Sequence, residues 1–587
     1  MAQDKYFRDE LAFLKDQGKQ FTEIHPQLSR FLNGRNTDPD VERLLEGFAF
    51  LTGKLREKVE DEFPELTHSI INMLWPNYLR PIPSMSILKF SPKGNFSTRQ
   101  IIKKSTTVDS IPVLDTACQF RTCRDVEIYP LVCDRVSAVH TKDASKVSLE
   151  MSMINKDDSV KSIELDSLRF YLGGDTYSAQ NLYLWLGHYI DSIEVEYEGG
   201  SVKVPTDVFD VVGFDNDGLL PYPKNVYQGY RIFQEYLAFP ESFHFFELKH
   251  IGRYIPDHVA GKFTIRFNFT QTLPGSTQVT SESFTLYATP IVNLFKHDAD
   301  PIDLTGKRPE YRLSPSSRYP RHYEIFSVDH VEGWQETSDG RIRGQRRVYT
   351  PFESFQHEIE LARKRLALYY RVRVKDSIRK DGFDHFISFV RGDETTGYLQ
   401  DEAVTLELTC TNRQLPAELG VGDICVSTDT SPPFADFENI TIPTQTLRPV
   451  LDGSLLWTLI SNLSLNYLSL LDKKALCSVL RAYDFRSLVD QQAARISRQR
   501  MEGIVSIESE PLDKLIKGMP VRGLLSKITM DPNAFGSEGD LYLFGTVLSQ
   551  FFALYASINS FHELVVVNAE SREEYSWGNQ HGMQPLI

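Results

Sequence analysis

The sequence has 587 residues, and at roughly 150 residues per domain this length predicts about four domains. Charged residues make up 24% and hydrophobic residues 41% of the chain, a balance that excludes a disordered or fibrous protein and supports several cores. The formal net charge of −15 argues against wrapping of nucleic acid or of an anionic membrane, because both favour positive protein surfaces.

The first 80 residues carry apolar side chains at helical spacing. We expect helices over 5–24, 38–61 and 64–75. Asp38 is a suitable N-cap for the second helix, and Pro39 suits its first helical position. The N-terminal region is therefore predicted to be helical.

The second of these helices carries one long apolar stripe. Its apolar positions recur mostly at steps of three or four residues: Val41, Leu44, Leu45, Phe48, Leu51, Leu55 and Val59. Such a stripe most often packs into the core of its own domain, and otherwise forms one face of a bundle shared with another chain. We take Leu44, Leu45, Phe48, Leu51 and Leu55 as the candidate protein interface.

From residue 81 to about 450 the pattern changes to strands divided by turn residues. In the segment 81–92, Ile87 and Leu88 are adjacent and prolines flank the apolar run, which predicts a strand covered on both faces. Further strands are expected at 147–153, 193–197, 263–269 and 404–410, a helix at 177–186 and a loop at 307–321.

The last part of the chain mixes both patterns. The expected elements are helix over 452–500, a strand at 521–530, a helix at 541–558 and a final strand at 564–567. The predicted fold class is multidomain α+β, with four parts: a helical N-terminal region (1–80), a β-rich region with inserted helices (81–300), a second β-rich region (301–450) and a mixed helical and strand C-terminal domain (451–587).

Portable catalytic motifs are missing from the sequence. It has no GxxxxGK[ST] phosphate loop, no GxGxxG after a strand and no GxSxG nucleophile turn. His562-Glu563 begins like a zinc-protease helix, but Val566 stands where the second histidine is needed. We therefore expect no catalytic residues, no cofactor and no metal, and a protein that is not an enzyme. The alternative is an unrecognised carbohydrate-active enzyme, whose paired carboxylates are defined only in space.

Cysteine usage and hydropathy indicate the compartment. The six cysteines form no CxxC pair, which argues against a zinc ribbon or a redox site. For the three cysteines at 118–133 we expect buried thiols rather than a metal cluster. The N-terminus lacks the apolar stretch of a signal peptide, and no window holds about 18 consecutive apolar residues. We expect a cytoplasmic protein without direct membrane insertion.

A basic segment at 341–380 contrasts with the acidic chain. It is rich in Arg and Lys, with Tyr369 and Tyr370 interleaved and Glu353 and Glu358 interspersed. Three interpretations remain open, in decreasing order of preference: a solvated face, an adaptor patch that docks an acidic protein surface, and a nucleic-acid site. We expect no nucleic acid among the partners.

Ten strings keep one order along nearly the whole chain. They are YFRDELAFLKDQGKQF (6–21), VERLLEGFAFLTGKL (41–55), PSMSILKF (83–90), QFRTCRDVEIYPL (119–131), GYRIFQEYLAFPESFHFFEL (229–248), PIVNLFKHDADPI (290–302), YEIFSVDHV (323–331), LTCTNRQLPAELGVGD (408–423), LWTLISNLSLNYLSL (456–470) and LFGTVLSQFFALYASINSF (543–561). The strings resemble the TssF family, also called VasA or ImpG, of bacterial type VI secretion baseplates.

The resemblance implies a structural role. Members of this family are cytoplasmic wedge subunits of a contractile injection machine, recruited to the apparatus docked at the inner membrane. The implied partners are TssG, a second copy of the chain, TssK and TssE. Six wedges surround the VgrG spike hub beneath the sheath and the Hcp tube, so contacts with VgrG, Hcp and sheath are implied as well. The implied mechanism is mechanical: wedges hold the ring before contraction and then rearrange to release the sheath.

Overall fold

The computed structural model divides the chain into two compact units. One comprises Met1–Leu79 with Val450–Leu463, and the other comprises Arg80–Pro449 with Ser464–Ile587. The residues that the structure describes are 7–8, 11–12, 14, 39–93, 96–214, 218–222, 230–304, 308–335, 345–352, 368–377, 382–391, 402–449, 471–516, 518–556 and 560–582. Helices and several sheets alternate along them, which confirms the predicted multidomain α+β class.

One long helix, α1 (Pro39–Leu74), lies in the first unit. Proline suits its first position because the missing N–H would have no partner there. Asp40 and Glu42 lie in the first turn, next to the positive end of the helix dipole. The prediction of separate helices over 38–61 and 64–75 was wrong, because the helix continues through the internal proline. A proline removes one backbone N–H donor, and this position lies inside a helix of 36 residues.

The helix expected over 5–24 falls mostly outside the described residues. Within it, the structure describes helical backbone at 7–8, 11–12 and 14. A helical region before residue 39 therefore stays a prediction.

The second unit begins with a six-stranded antiparallel sheet. Its strands are β1 (Met85–Pro92), β3 (Thr107–Asp109), β4 (Gln119–Thr122), β15 (Ala288–Val292), β24 (Val426–Ser427) and β25 (Ala435–Asn439), in the order β24-β3-β4-β15-β1-β25. Beside it, β2 (Gln100–Ile102) pairs with β5 (Val126–Ile128). Leu88 of β1 pairs with Thr289 on one side and Asn439 on the other. Because β1 is central and its first four residues are buried, the prediction of a strand covered on both faces is confirmed.

Two further antiparallel sheets follow in the same unit. The first contains β6 (Leu131–His140), β7 (Ser145–Met153), β9 (Ile190–Tyr197), β10 (Gly200–Val204) and β13 (Lys262–Phe269), in the order β10-β9-β13-β7-β6. The second contains β8 (Leu168–Tyr171), β11 (Phe209–Val212), β12 (Phe245–Leu248) and β14 (Thr285–Leu286), in the order β11-β12-β8-β14. Helices α2 (Thr176–Gly187) and α3 (Arg231–Ala238) belong to this region. The strands and the helix predicted between 147 and 269 are all present.

The largest sheet occupies the middle of the chain. Its strands are β16 (Phe295–Asp298), β17 (Ile302–Leu304), β18 (Tyr311–Arg312), β19 (Glu324–Gln335), β20 (Gln345–Pro351), β21 (Leu368–Asp376), β22 (Phe383–Arg391) and β23 (Glu402–Thr411). The order is β16-β23-β19-β20-β21-β22-β18, and β17 also pairs with β23. Ile325, Val331, Ile387 and Leu408 are among the buried residues of its core.

The described C-terminal part combines helices with a four-stranded sheet. Its elements are α4 (Lys473–Tyr483), α5 (Arg486–Val489), α6 (Gln491–Gly503), β26 (Ile504–Ile516), β27 (Met519–Met530), α7 (Glu538–Tyr555), β28 (Phe561–Asn568) and β29 (Glu574–His581). Strands β27 and β28 are parallel, and α7 connects them. The strand predicted at 564–567 lies within β28 but is not the final one, because β29 follows and pairs with it. Of the helix predicted over 452–500, residues 452–470 fall outside the described residues, and the rest is confirmed as the three shorter helices α4 to α6.

Candidate functional site

The apolar stripe of α1 is largely exposed. The exposed fractions of Leu44, Phe48 and Leu51 are 73%, 56% and 66%, whereas Leu45 is half-buried. The side chain of Leu55 lies outside the described residues. On the adjoining face of the helix, Ala49 is completely buried and Gly53 is buried as well. The sequence treated the stripe as one surface, and the structure divides it into a covered face and an exposed one.

Four of the described basic residues in the segment 341–380 form ion pairs with glutamates: Arg346, Arg347, Arg373 and Lys375. Arg346 donates from Nε to Glu332 at 2.9 Å, and Arg347 lies 3.8 Å from Glu402. Hydrogen bonds from Arg346, and then from His330, lower the pKa of Glu332 to about 2. Each of these carboxylates lies on a strand that is hydrogen-bonded into the same sheet. The pairing weakens the adaptor interpretation, because a paired arginine attracts an acidic protein less strongly.

Strand β21 continues the same pattern. Arg373 and Lys375 both lie near Glu310, with nitrogen–oxygen distances of 3.9 and 3.2 Å. Arg371 lies on the same strand. The other basic residues of the segment, at 341, 343, 363–365, 379 and 380, lie outside the described residues. Another arginine of the sheet region, Arg448, donates to both oxygens of the fully buried Glu324 at 2.9 Å.

Helices α4 to α6 present a second basic surface, which the sequence reasoning did not single out. Arg481, Arg486, Arg495 and Arg498 are exposed, and none forms an ion pair within the described part of the chain. The nearby aspartates are used as helix caps instead. Asp472 accepts backbone N–H bonds at the start of α4, and Asp490 does the same at the start of α6.

Beside this surface lies a cavity of about 270 Å³, which we call the helical groove. Its lining combines apolar and charged side chains from α3 to α7: Tyr236, Leu480, Ile496, Arg500, Met501 and Phe544. Arg500 donates to both oxygens of Asp540 at 2.8 Å. The side chain of Asp540 is 2% exposed, so this ion pair is nearly buried. The Arg500 guanidinium also lies 5.9 Å from the centre of the Tyr236 ring.

Two polar atoms of the helical groove have no hydrogen-bond partner among the described residues. They are the hydroxyl of Tyr236, which is 1% exposed, and Nε of Arg500. Buried polar groups are nearly always satisfied in folded proteins. The groove therefore has unmet hydrogen-bonding capacity next to apolar walls.

The cysteines do not gather into a site. Cys118, Cys123, Cys410 and Cys477 are buried, and burial raises the pKa of the Cys118 thiol to about 12. The expectation of buried thiols at 118–133 is confirmed for Cys118 and Cys123, whereas Cys133 is half-buried; Cys425, outside that cluster, is exposed. Among the residues that the structure describes, no three His, Cys, Asp or Glu side chains come together as metal ligands would. None of the helices in the described ranges is both long and apolar enough to cross a bilayer.

These features define the class of protein. It is a multidomain α+β protein that exposes one apolar helix face and one basic surface with an adjoining groove. Exposed apolar patches mark sites where proteins bind other molecules.

Comparison with known proteins gives the family. Residues 2–584 match the family model described as Type VI secretion system, TssF, so the chain belongs to the TssF family of baseplate components. The Type VI secretion system component TssF1 of Pseudomonas aeruginosa is 28% identical over 630 residues, which cover 99% of each chain.

Solved structures agree over nearly the full length. A chain of the TssK-TssF-TssG baseplate subcomplex of the type VI secretion system aligns with a TM-score of 0.78 and 28% identity, covering 93% of this chain and 99% of that one. A chain of the baseplate complex from the type VI secretion system aligns with a TM-score of 0.62 and 25% identity, covering 100% of both.

Proposed function

We propose that the chain is a non-enzymatic structural wedge subunit of the type VI secretion baseplate, and that it assembles with TssG and TssK proteins. The observation that carries this proposal is the alignment, over 93% of the chain, with a chain of a TssK-TssF-TssG subcomplex. In this role the chain works in the cytoplasm, at an apparatus docked to the inner membrane. TssE, a second copy of the chain, VgrG, Hcp and sheath complete the proposed set of neighbours.

The proposed partner-binding face is the exposed stripe of α1. Leu44, Phe48 and Leu51 lie at positions i, i+4 and i+7, so they line one side of the helix. Covering an exposed leucine or phenylalanine is worth about 1.5–3 kcal/mol per side chain. Three such residues on one helix suit a bundle with a helix of TssG.

The second unit suits a mechanical role. The six sheets formed by its described residues are held by backbone ladders, and several residues of its core are completely buried. A close-packed interior resists deformation, so force applied at one surface reaches another with little internal change. A wedge that holds a ring before contraction needs this stiffness.

Co-expression with TssG and TssK proteins tests the assembly role. We expect a stable complex with two copies of the chain per TssG, measured by native mass spectrometry. A chain that stays monomeric with both partners present would refute the proposal.

Substitution of the α1 stripe tests the interface. The double variant Leu44→Asp/Leu51→Asp is expected to abolish co-purification with TssG, because it places two charges on the apolar face. Since both side chains are exposed, the unfolding free energy of the isolated chain should change by less than about 0.5 kcal/mol. Arg43→Asp, on the polar side of the same helix, is the matched control and should keep the complex. Normal co-purification of the double variant would exclude this face.

A further inference from the structure

The surface formed by helices α4 to α6 is basic on an acidic protein. Between residues 472 and 503 the chain has seven basic and four acidic residues, whereas its overall net charge is −15. Of the four acidic residues, Asp472 and Asp490 cap helices, and Asp484 accepts the backbone N–H of Ser487 at 3.1 Å. These three carboxylates accept backbone N–H groups, and Glu502 forms no ion pair within the described residues, so the exposed arginines remain available to another molecule.

Apolar side chains lie among these arginines. Leu488, Val489 and Ile496 are 51%, 62% and 42% exposed, and Ile496 also lines the helical groove. Such residues leave water favourably when another surface covers them. The combination of arginines with exposed aliphatic residues is typical of protein interfaces, where arginine is enriched.

The inner wall of the helical groove requires hydrogen-bond acceptors. The Tyr236 hydroxyl and Nε–H of Arg500 are donors without a described acceptor, and both residues line the groove. Both atoms lie beneath the surface of the groove, so a carboxylate or carbonyl oxygen accepts from them once it displaces the side chains that cover them. Leu480, Met501 and Phe544 would at the same time contact an apolar side chain.

We propose that the helical groove binds an acidic segment of a second baseplate protein. One aliphatic or aromatic side chain of that segment enters the groove, and its carboxylates meet Arg486, Arg495 and Arg498. The choice of an acidic protein rests on charge complementarity, because the arginines require negative charge. The apolar groove disfavours nucleic acid, whose binding is dominated by phosphate contacts. The inference rests on the assembly role proposed above.

Site-specific cross-linking tests the proposal in the assembled complex. Ile496 is replaced by photoreactive p-benzoylphenylalanine, the full chain is co-expressed with the TssG and TssK proteins of the same baseplate, and cross-linked peptides are sequenced by mass spectrometry. We expect a peptide of TssG or TssK in which Asp or Glu flank an apolar residue. A cross-link to nucleic acid, to lipid, to a second copy of this chain or to a basic peptide would overturn the proposal.

Charge reversal distinguishes a specific contact from proximity. Arg486→Glu/Arg495→Glu/Arg498→Glu should lower the yield of that cross-link at least about tenfold. The matched control changes three exposed basic residues elsewhere, Arg135→Glu/Lys142→Glu/Lys146→Glu, and should keep the yield. An equal loss in both triple variants, or in neither, contradicts the groove. If charge reversal unfolds the chain, raising the salt concentration on the parent protein provides the same test, because the cross-link yield should fall.

The variant Tyr236→Phe should change two measured quantities in opposite directions, the melting temperature and the cross-link yield. Removing an unsatisfied buried hydroxyl should raise the melting temperature of the isolated chain, while loss of the donor lowers the cross-link yield. A lower melting temperature together with an unchanged yield would show that the hydroxyl serves the fold alone.

The same experiment separates this proposal from the assembly role. A complex that forms normally, with a cross-link from position 51 on α1 but none from position 496, overturns only the helical groove. Absence of any complex overturns the assembly role and the groove together.

Discussion

The described arginines in and beside the large sheet and the exposed arginines of helices α5 and α6 are in opposite electrostatic states. In the sheet, Arg346 and Arg347 lie against Glu332 and Glu402 of strands β19 and β23. Arg448, in the segment that follows β25, lies against Glu324 at the start of β19. On the helices, Arg495 and Arg498 have no carboxylate partner within the described residues. The comparison teaches that a run of basic residues indicates a binding surface only where neighbouring segments leave it unpaired.

The difference follows from the geometry of the elements. Strands place residues from distant parts of the chain directly opposite each other, so Glu402 on β23 reaches Arg347 on β20 through their common neighbour β19. A surface helix faces solvent on one side and finds partners mainly three or four residues away. Along α6, Arg495 lies three residues before Arg498 and Glu502 four residues after it, and within the described residues no ion pair joins Arg498 to Glu502.

The largest loss of unfolding free energy is expected at the ion pair between Arg448 and Glu324, whose carboxylate is fully buried. Arg448→Met leaves the fully buried carboxylate of Glu324 without its partner, and breaking a buried pair in this way costs about 3–5 kcal/mol. Urea denaturation followed by tryptophan fluorescence measures the loss. The double variant Glu324→Gln/Arg448→Met is the control, because the amide oxygen still accepts the N–H of Phe383 and no charge is stranded. If the single and double variants lose the same unfolding free energy, Arg448 does not stabilise the fold by neutralising the charge of Glu324.

Acidification should lower the stability of the fold through one buried histidine in the large sheet and another near the helical groove. Burial lowers the pKa of His385 in β22 and of His244 before β12 to about 4, from an ordinary value of 6.5. As pH falls from 6.5 towards 4, the unfolded chain binds protons at these residues and the folded chain does not. Stability is therefore complete above pH 6.5 and is lost progressively below it.

Thermal unfolding between pH 7 and pH 4 measures this loss. His385→Gln and His244→Gln should each flatten the curve, and the double variant should flatten it further. A slope that does not change in any of the three would assign acid sensitivity to other groups.

The smallest effect is expected at the helical arginines. Arg486→Gln, Arg495→Gln and Arg498→Gln should each change the unfolding free energy by no more than about 0.5 kcal/mol, because no ion pair is lost. Urea midpoints of the three variants, compared with that of Arg448→Met, give the contrast between the two regions. A loss of unfolding free energy above about 1 kcal/mol in any of the three variants would show that the replaced arginine has a partner within the fold. The helical arginines would then not differ from those beside the large sheet.

Local patterns predicted much of the fold. The alternation Phe263, Ile265, Phe267 identified β13, and the adjacent apolar pair in β1 indicated burial on both faces. The proline at position 64 misled the prediction, because proline is common at the first position of a helix, whereas α1 continues through it.

The candidate sites were harder to predict. The α1 stripe was found from its spacing, but spacing alone did not separate exposed Leu44 from buried Ala49. The helical groove depends on Tyr236 and Arg500, which lie far apart in the sequence. Their proximity comes from the packing of α3 against the C-terminal helices, which no local pattern contains. The ion pairs of the basic segment were missed for the same reason. Glu332 and Glu402 lie outside 341–380 and come close to its arginines only when the sheet forms.

The position of β1 in its sheet also determines how long this strand waits on the ribosome for its second neighbour. One neighbour, β25, begins at Ala435, more than 300 residues after β1 ends at Pro92. At a translation rate of about 5–20 residues per second, the ribosome needs roughly 20–70 s to supply that neighbour. Throughout this interval Ile87, Leu88 and Phe90 have no finished sheet to enter, although all three become completely buried. The nascent chain is therefore expected to need chaperone protection of its first strand until three quarters of the protein has been made.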